Sequence, residues 1–233
     1  MKLYFDPLST WARPITFLLH DQGVAFEEEL VALHLGEQRT PEFLALNPNG
    51  QVPVLDDDGF VLTQSNAILK YLAVRLQLPV YPARLQDQAR VDEMTTWFTT
   101  TFSLFHCAFG VFPRMLPELS HLAAATAADM ESLGAYGSQR YLSVLEKQFE
   151  DGRRFACGDE LSIADYAGVA QVTLAEFIAF DFTPYPRVAA WIERMKSRPG
   201  WDAAFAAFRG FVAAAHSPHP QPALRADRLH NQH

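Results

Sequence analysis

Apolar positions recur along the chain with two different rhythms, and the change falls near residue 80. Before it, short apolar runs alternate with turn chemistry. Lys2–Phe5 predicts a strand, which Asp6-Pro-Leu-Ser-Thr10 breaks. Trp11 to Gln22 predicts a helix with Ile15, Leu18 and Leu19 on one face and Gly23 as its stop. Ala25 to Leu33 fits a strand or a helix, and its place between Gly23 and the turn at His34-Leu-Gly36 favours an edge strand. Thr40-Pro-Glu-Phe-Leu44 predicts a short helix with proline in its first turn.

The stretch from Asn47 to Leu72 is the most structured reading in this half. Asn47-Pro-Asn-Gly50 is dense turn chemistry, and Gln51–Leu55 and Phe60–Thr63 predict two strands around the hairpin signal Asp56-Asp-Asp-Gly59. Ile68, Leu69 and Leu72 then recur at helical spacing, with Ser65 as the expected N-cap. Pro53 inside the first strand cannot donate to a ladder and demotes it to an edge. A cis bond before Pro53 would turn the backbone of Val52 outward, where an extended peptide can pair with it. Ser65, with the free N–H groups of a helix start, makes a site for a carboxylate.

Beyond the proline-bracketed Leu78-Pro-Val-Tyr-Pro82, only helical periods appear. Gln86 to Met115 carries Val91, Met94, Trp97, Phe98, Phe102, Phe105 and Phe109, with Pro113 and Pro117 ending or kinking it. Ala123 to Phe149 predicts a second long helix, weakest at Gly134 and Gly137. Ser162-Ile-Ala-Asp165 matches a capping box, so Asp165 is expected to cap a central apolar helix running from Tyr166 to Ala179. Pro186–Ser197 and Pro199–Ala215 predict two more helices, each with proline in its first turn. His216–His233 is proline- and polar-rich and reads as a solvated tail. Its histidines, His216, His219, His230 and His233, offer metal-binding groups, although a solvated tail is the preferred reading.

Composition narrows the functional classes. The formal charge of −8 argues against nucleic acid, which needs a basic footprint. Any anionic ligand must therefore be held by local devices. Cys107 and Cys157, without metal-ligand spacing, point to free thiols in a reduced compartment. No signal peptide and no apolar run of spanning length is visible, so a cytoplasmic protein without a membrane partner is expected.

Four segments in order carry a resemblance: KLYFDPLSTWARPITFLL, GEQRTPEFLALNPNGQVPVL, LTQSNAILKYLA and GDELSIADYAG. Together they resemble the cytosolic glutathione transferases, with features of the theta class and of the bacterial beta class. The resemblance implies an α/β plus all-α fold. A thioredoxin-like domain over 1–77 would be joined by a linker at 78–85 to a helical domain over 86–215, with a flexible tail over 216–233. It implies a homodimer, a cis Pro53 and glutathione as co-substrate. The implied activity, of the detoxifying kind, is attack of the glutathione thiolate on a small apolar electrophile.

Carried over by position, Val52 would pair with the cysteinyl part of glutathione. Gln64 and Ser65 would hold its γ-glutamyl end, and Gln38 and Gln51 would lie near its glycyl carboxylate. Gln64 departs from the acidic residue most relatives carry, which removes an ion pair. The theta-like alignment makes Ser9 the thiol-activating hydroxyl, and the beta-like alignment makes it Thr10. One hydroxyl is enough: lowering a thiol pKa by two units takes about 2.7 kcal/mol, and a hydrogen bond to a charged group supplies about 1.5–3. Trp11, Phe102, His106 and Phe109 would line the electrophile pocket. The alternative is a glutathione-binding or regulatory protein of the same fold with little turnover.

Overall fold

The computed structural model describes residues 1–116, 119 and 123–217. Strands β1 (Lys2–Phe5), β2 (Glu27–Leu30), β3 (Val54–Asp57) and β4 (Phe60–Thr63) form one mixed sheet in the order β2-β1-β3-β4. Helix α1 (Arg13–Asp21) is the crossover that lets β2 run parallel to β1, while β3 and β4 are antiparallel neighbours. The edge strand β2 is exposed along its length and carries Glu27, Glu28 and Glu29, charges that blunt an open sheet edge.

The hairpin between β3 and β4 turns on two residues. Asp58 and Gly59 both have positive φ, 54° and 93°, as a tight turn matched to strand twist requires. The Asp56 carboxylate accepts from Gly59 N–H at 2.7 Å and fixes it. Strand β3 begins at Val54, so Pro53 stands just before the ladder and not inside it, and the Val52–Pro53 bond is cis. Helix α2 (Pro41–Leu46) starts as expected, with Thr40 Oγ1 accepting from Phe43 N–H at 3.3 Å. Helix α3 (Ser65–Arg75) starts one residue earlier than an N-cap at Ser65 predicts. Its N-cap is Gln64, and Ser65 is already in the first turn.

Among the described residues no strand follows β4. Helix α4 (Leu85–Trp97) continues through π-helical segments at Phe98–Phe102 and Leu104–Phe109, then breaks near Gly110 before the short α5 (Phe112–Met115). Helix α6 (Ala124–Gln148) runs through Gly134 and Gly137 without interruption. These glycines are contact points. A Cβ on Gly137 would stand 2.2 Å from Phe105 Cβ, and one on Gly134 would stand 2.5 Å from Gly110 Cα.

Helix α7 (Ile163–Val172) is buried on every side and carries the capping box. Asp165 accepts from the Ser162 N–H at 2.9 Å and also from Ala156 N–H and the Trp191 indole. Its last turns, Thr173–Ile178, tighten to a 3₁₀ helix. Helices α8 (Pro186–Lys196) and α9 (Trp201–Ala215) follow. Pro199 lies outside α9, which starts after Gly200. Of the expected tail, only His216 and Ser217 fall within the described residues. His216 closes α9, and its Nε2 pairs with the Phe177 carbonyl at 2.9 Å.

One core spans sheet and helices. The Phe17 ring on α1 packs edge-on against Tyr166, Trp201 and Phe205, so α1 is covered by α7 and α9. This burial fixes the loop in front of α1, where the candidate site begins.

Candidate active site

A cavity of about 560 Å³ opens where the end of β1, the loop before β3 and the start of α3 converge. Ser9 and Trp11 line it from the turn after β1, and Gln51, Val52 and Pro53 form one wall. Gln64, Ser65 and Asn66 form another, closed by Thr99 and Thr100 from the helical half. Gln38 and Asn47 complete the side nearest α2. The volume is that of a small-molecule site.

Each wall is held by specific bonds. The Asp6 carboxylate accepts from Leu8 N–H at 2.8 Å and from Leu33 N–H at 3.2 Å, which shapes the turn after β1. Asn47 donates to the Gln51 carbonyl at 2.6 Å and accepts from Asn49 N–H at 3.1 Å. Gly50 has φ 59°, and a Cβ there would meet the Gln38 carbonyl at 3.1 Å, so both conformation and space call for glycine. Gln64 has φ 71° and ψ 116°, a sparsely populated conformation for a side-chain-bearing residue. Ser65 donates to the Trp11 carbonyl at 2.6 Å, joining the start of α3 to the Ser9 turn.

The two candidate hydroxyls face opposite ways. Ser9 Oγ accepts from the N–H groups of Trp11 and Ala12, both at 3.3 Å. With those lone pairs engaged, the hydroxyl proton is what Ser9 has left to give, and the residue lines the cavity. Thr10 is 3% exposed, accepts from Arg13 Nη2 at 3.3 Å, and is absent from the cavity wall.

The aromatic side of the expected electrophile pocket is elsewhere. Phe102 is fully buried, edge-on to Phe98 and tilted against Trp97. His106 is 1% exposed, with Nδ1 2.9 Å from Ser138 Oγ and Nε2 3.2 Å from the Val172 carbonyl. Burial pushes its imidazole down to about 4, so it is neutral at physiological pH. Phe109 packs on Phe105. Phe98, Phe102 and His106 form a stripe at four-residue spacing that faces α7 and the bundle interior. The face turned to the cavity carries Thr99 and Thr100, which the sequence reading did not single out. Their signal was the threonine-rich run at residues 95–101.

None of the side chains lining the cavity is ionisable. Two buried carbonyl oxygens on its border, Gln38 Oε1 and Asn66 Oδ1, have no partner, while Asn66 Nδ2 donates to Thr99 Oγ1 at 2.7 Å. A second, polar depression of about 240 Å³ beside Cys157 is bridged by the Arg153–Asp151 ion pair. The Cys157 thiol is pushed up to about 12, so it is no nucleophile at neutral pH.

A thioredoxin-like α/β half, a helical half and a polar cleft between β1, the cis-proline loop and α3 define a glutathione-transferase architecture. Comparison with known proteins agrees. The N-terminal domain of the glutathione S-transferase family matches residues 1–74, and its C-terminal domain matches residues 126–199. Rat glutathione S-transferase theta-1 is 31% identical over 97% of this chain and 94% of its own. The human theta-1 enzyme is 30% identical over the same shares, 97% and 94%. Among solved structures, a delta-class glutathione transferase of Nilaparvata lugens superposes with a TM-score of 0.78 at 29% identity, covering 91% of this chain and 96% of that one.

The chain belongs to the glutathione S-transferase family. Its members use glutathione as co-substrate and conjugate it to electrophiles. Among the described residues, no helix is long and apolar enough to cross a membrane.

Proposed function

We propose that this chain conjugates glutathione to small apolar electrophiles, with Ser9 donating a hydrogen bond to the glutathione thiolate. The observation that carries the reading is the position of Ser9. It shares one cavity with Val52, Pro53, Gln64 and Ser65, and its lone pairs are already occupied by backbone N–H groups. In this reading the backbone of Val52 pairs with the cysteinyl unit. The N–H groups at the start of α3 hold the γ-glutamyl carboxylate beside Gln64 and Ser65. Gln38 and Gln51 meet the glycyl carboxylate through neutral amides. The electrophile enters beside Trp11 and is bordered by Thr99 and Thr100, not by Phe102 or His106.

The same reading takes residues 1–77 as the glutathione-binding unit, 78–85 as the linker and 86–215 as the helical unit. It takes the active form as a homodimer in the cytoplasm. Support for a partner copy comes from exposed apolar side chains, among them Phe60 on β4, Leu104 on the π segment and Tyr136 on α6. Support for a reducing compartment comes from Cys107 and Cys157, which are both free thiols.

A second reading, a glutathione-binding protein with little turnover, draws on the absence of ionisable side chains in the cavity lining. Calorimetry with glutathione run beside conjugation of a generic aryl halide separates the two. Binding with turnover supports the enzyme, and binding without turnover supports the second reading.

A further inference from the structure

Arg13 opens α1 directly behind the Ser9–Thr10 turn and is fully buried. Its backbone N–H donates to the Ser9 carbonyl at 3.1 Å. The guanidinium lies over the Phe208 ring at 3.7 Å and near that of Phe205 at 5.2 Å. One nitrogen, Nη2, reaches Thr10 Oγ1, while Nε and Nη1 are buried without a partner. Among the described residues no carboxylate pairs with it. The titratable groups that face it are Cys107 and, more weakly, Glu176. The Cys107 thiol is held neutral by burial, and Glu176 is engaged by Lys196 at 3.0 Å. From helix α9 it meets the rings of Phe205 and Phe208. A buried cation without a counter-charge is expensive to keep, and it projects a long-range positive potential.

We propose that Arg13 is a positioning residue for thiol activation, whose uncompensated charge behind the Ser9 turn stabilises the glutathione sulfur as thiolate. The proposal rests on the glutathione-conjugating reading above. It assigns the charge term to Arg13 because no ionisable side chain lines the cavity itself. Burial lowers the Arg13 pKa to about 9, which still leaves the group charged at neutral pH. At an effective dielectric of about 20, a unit charge acting over about 10 Å moves a thiol by about one pKa unit, or tenfold in the thiolate equilibrium, and that is the size of effect the proposal requires. Ser9 supplies a local hydrogen bond and Arg13 a field, so the two contributions are separable.

The test is the ionisation of enzyme-bound glutathione, followed by thiolate absorbance against pH under saturating glutathione. In Ser9→Ala the bound thiol is expected to stay about one unit below that of free glutathione. Arg13→Met is expected to raise the bound thiol by about one unit with Ser9 intact. Cys107→Asp, which sets a carboxylate close to the guanidinium, is expected to raise it by a similar amount. A merely structural Arg13 would alter stability but not this titration. A Ser9→Ala complex whose thiol titrates like free glutathione overturns the proposal, whatever becomes of the other variants. So does an Arg13→Met or Cys107→Asp protein that binds glutathione with an unshifted thiol. Wild-type protein that binds no glutathione at all overturns the underlying reading and the proposal with it.

Discussion

Ser65 Oγ donates to the carbonyl of Trp11 at 2.6 Å, across 54 residues of sequence. This bond fastens the first turn of α3 to the turn that carries Ser9, so the carboxylate-binding and thiol-activating parts of the proposed site share one anchor. In Ser65→Ala the Trp11 carbonyl loses a buried donor. A stability loss of about 1–2 kcal/mol is expected, read by urea unfolding. Weaker glutathione binding should accompany it, read by calorimetry. Unchanged affinity would separate Ser65 from the ligand.

Asp21 at the end of α1 binds the two halves together. Its side chain is fully buried and accepts from Tyr166 Oη at 2.5 Å, Arg198 Nε at 2.6 Å and Gly200 N–H at 3.4 Å. Asp21→Asn leaves Arg198 without its counter-charge and should cost about 3 kcal/mol or more. Tyr166→Phe removes one donor and should cost about 1–2 kcal/mol. Chemical denaturation of both variants checks the ranking.

His106 makes the protein sensitive to acid. Its folded-state pKa, about 4, lies below the usual 6.5, so between these values the unfolded chain binds a proton that the folded one refuses. The contribution of this residue is complete above about pH 6.5 and is lost as pH falls toward 4. The loss amounts to about 3 kcal/mol. Comparing the pH dependence of stability in wild type and His106→Gln over that window isolates it, and the difference should flatten above pH 7.

Two glycines in helices should respond oppositely to alanine. Gly137→Ala drives a methyl to 2.2 Å from Phe105 Cβ and should destabilise by about 1–3 kcal/mol, despite alanine's better helix propensity. Gly210, exposed in α9 with nothing within 4 Å of a Cβ, should gain about 0.5–1 kcal/mol on the same change. Paired melting curves test both signs.

Local chemistry made much of this legible in the sequence. The Ser162–Asp165 box, the Asp58-Gly59 turn and the Thr40-Pro41 helix start each need only a few neighbouring residues, and all three stand where the sequence puts them. Cis Pro53 came from family resemblance, because no local rule specifies it. The start of α3 falls one residue before the expected place because Gln64 caps it from a positive-φ conformation that residue type does not announce. Phe102 and His106 are buried away from the cavity lining, because helical spacing gives a face without saying what it faces. The two π segments after Trp97 also alter the register that spacing assumes. Arg13 is not legible in the sequence, where a lone arginine in a helix reads as surface charge; packing places it over the Phe208 ring of α9.

The central claim, that Ser9 and not Thr10 activates the thiol, is tested by the rate of glutathione conjugation to an aryl halide at neutral pH in Ser9→Ala and Thr10→Val. Loss of one hydrogen bond to a charged sulfur is worth about 1.5–3 kcal/mol, so kcat/KM of Ser9→Ala should fall about 10- to 100-fold. Thr10→Val should stay within a few-fold of wild type. A Ser9→Ala enzyme at full rate, or a larger loss in Thr10→Val, would contradict the account.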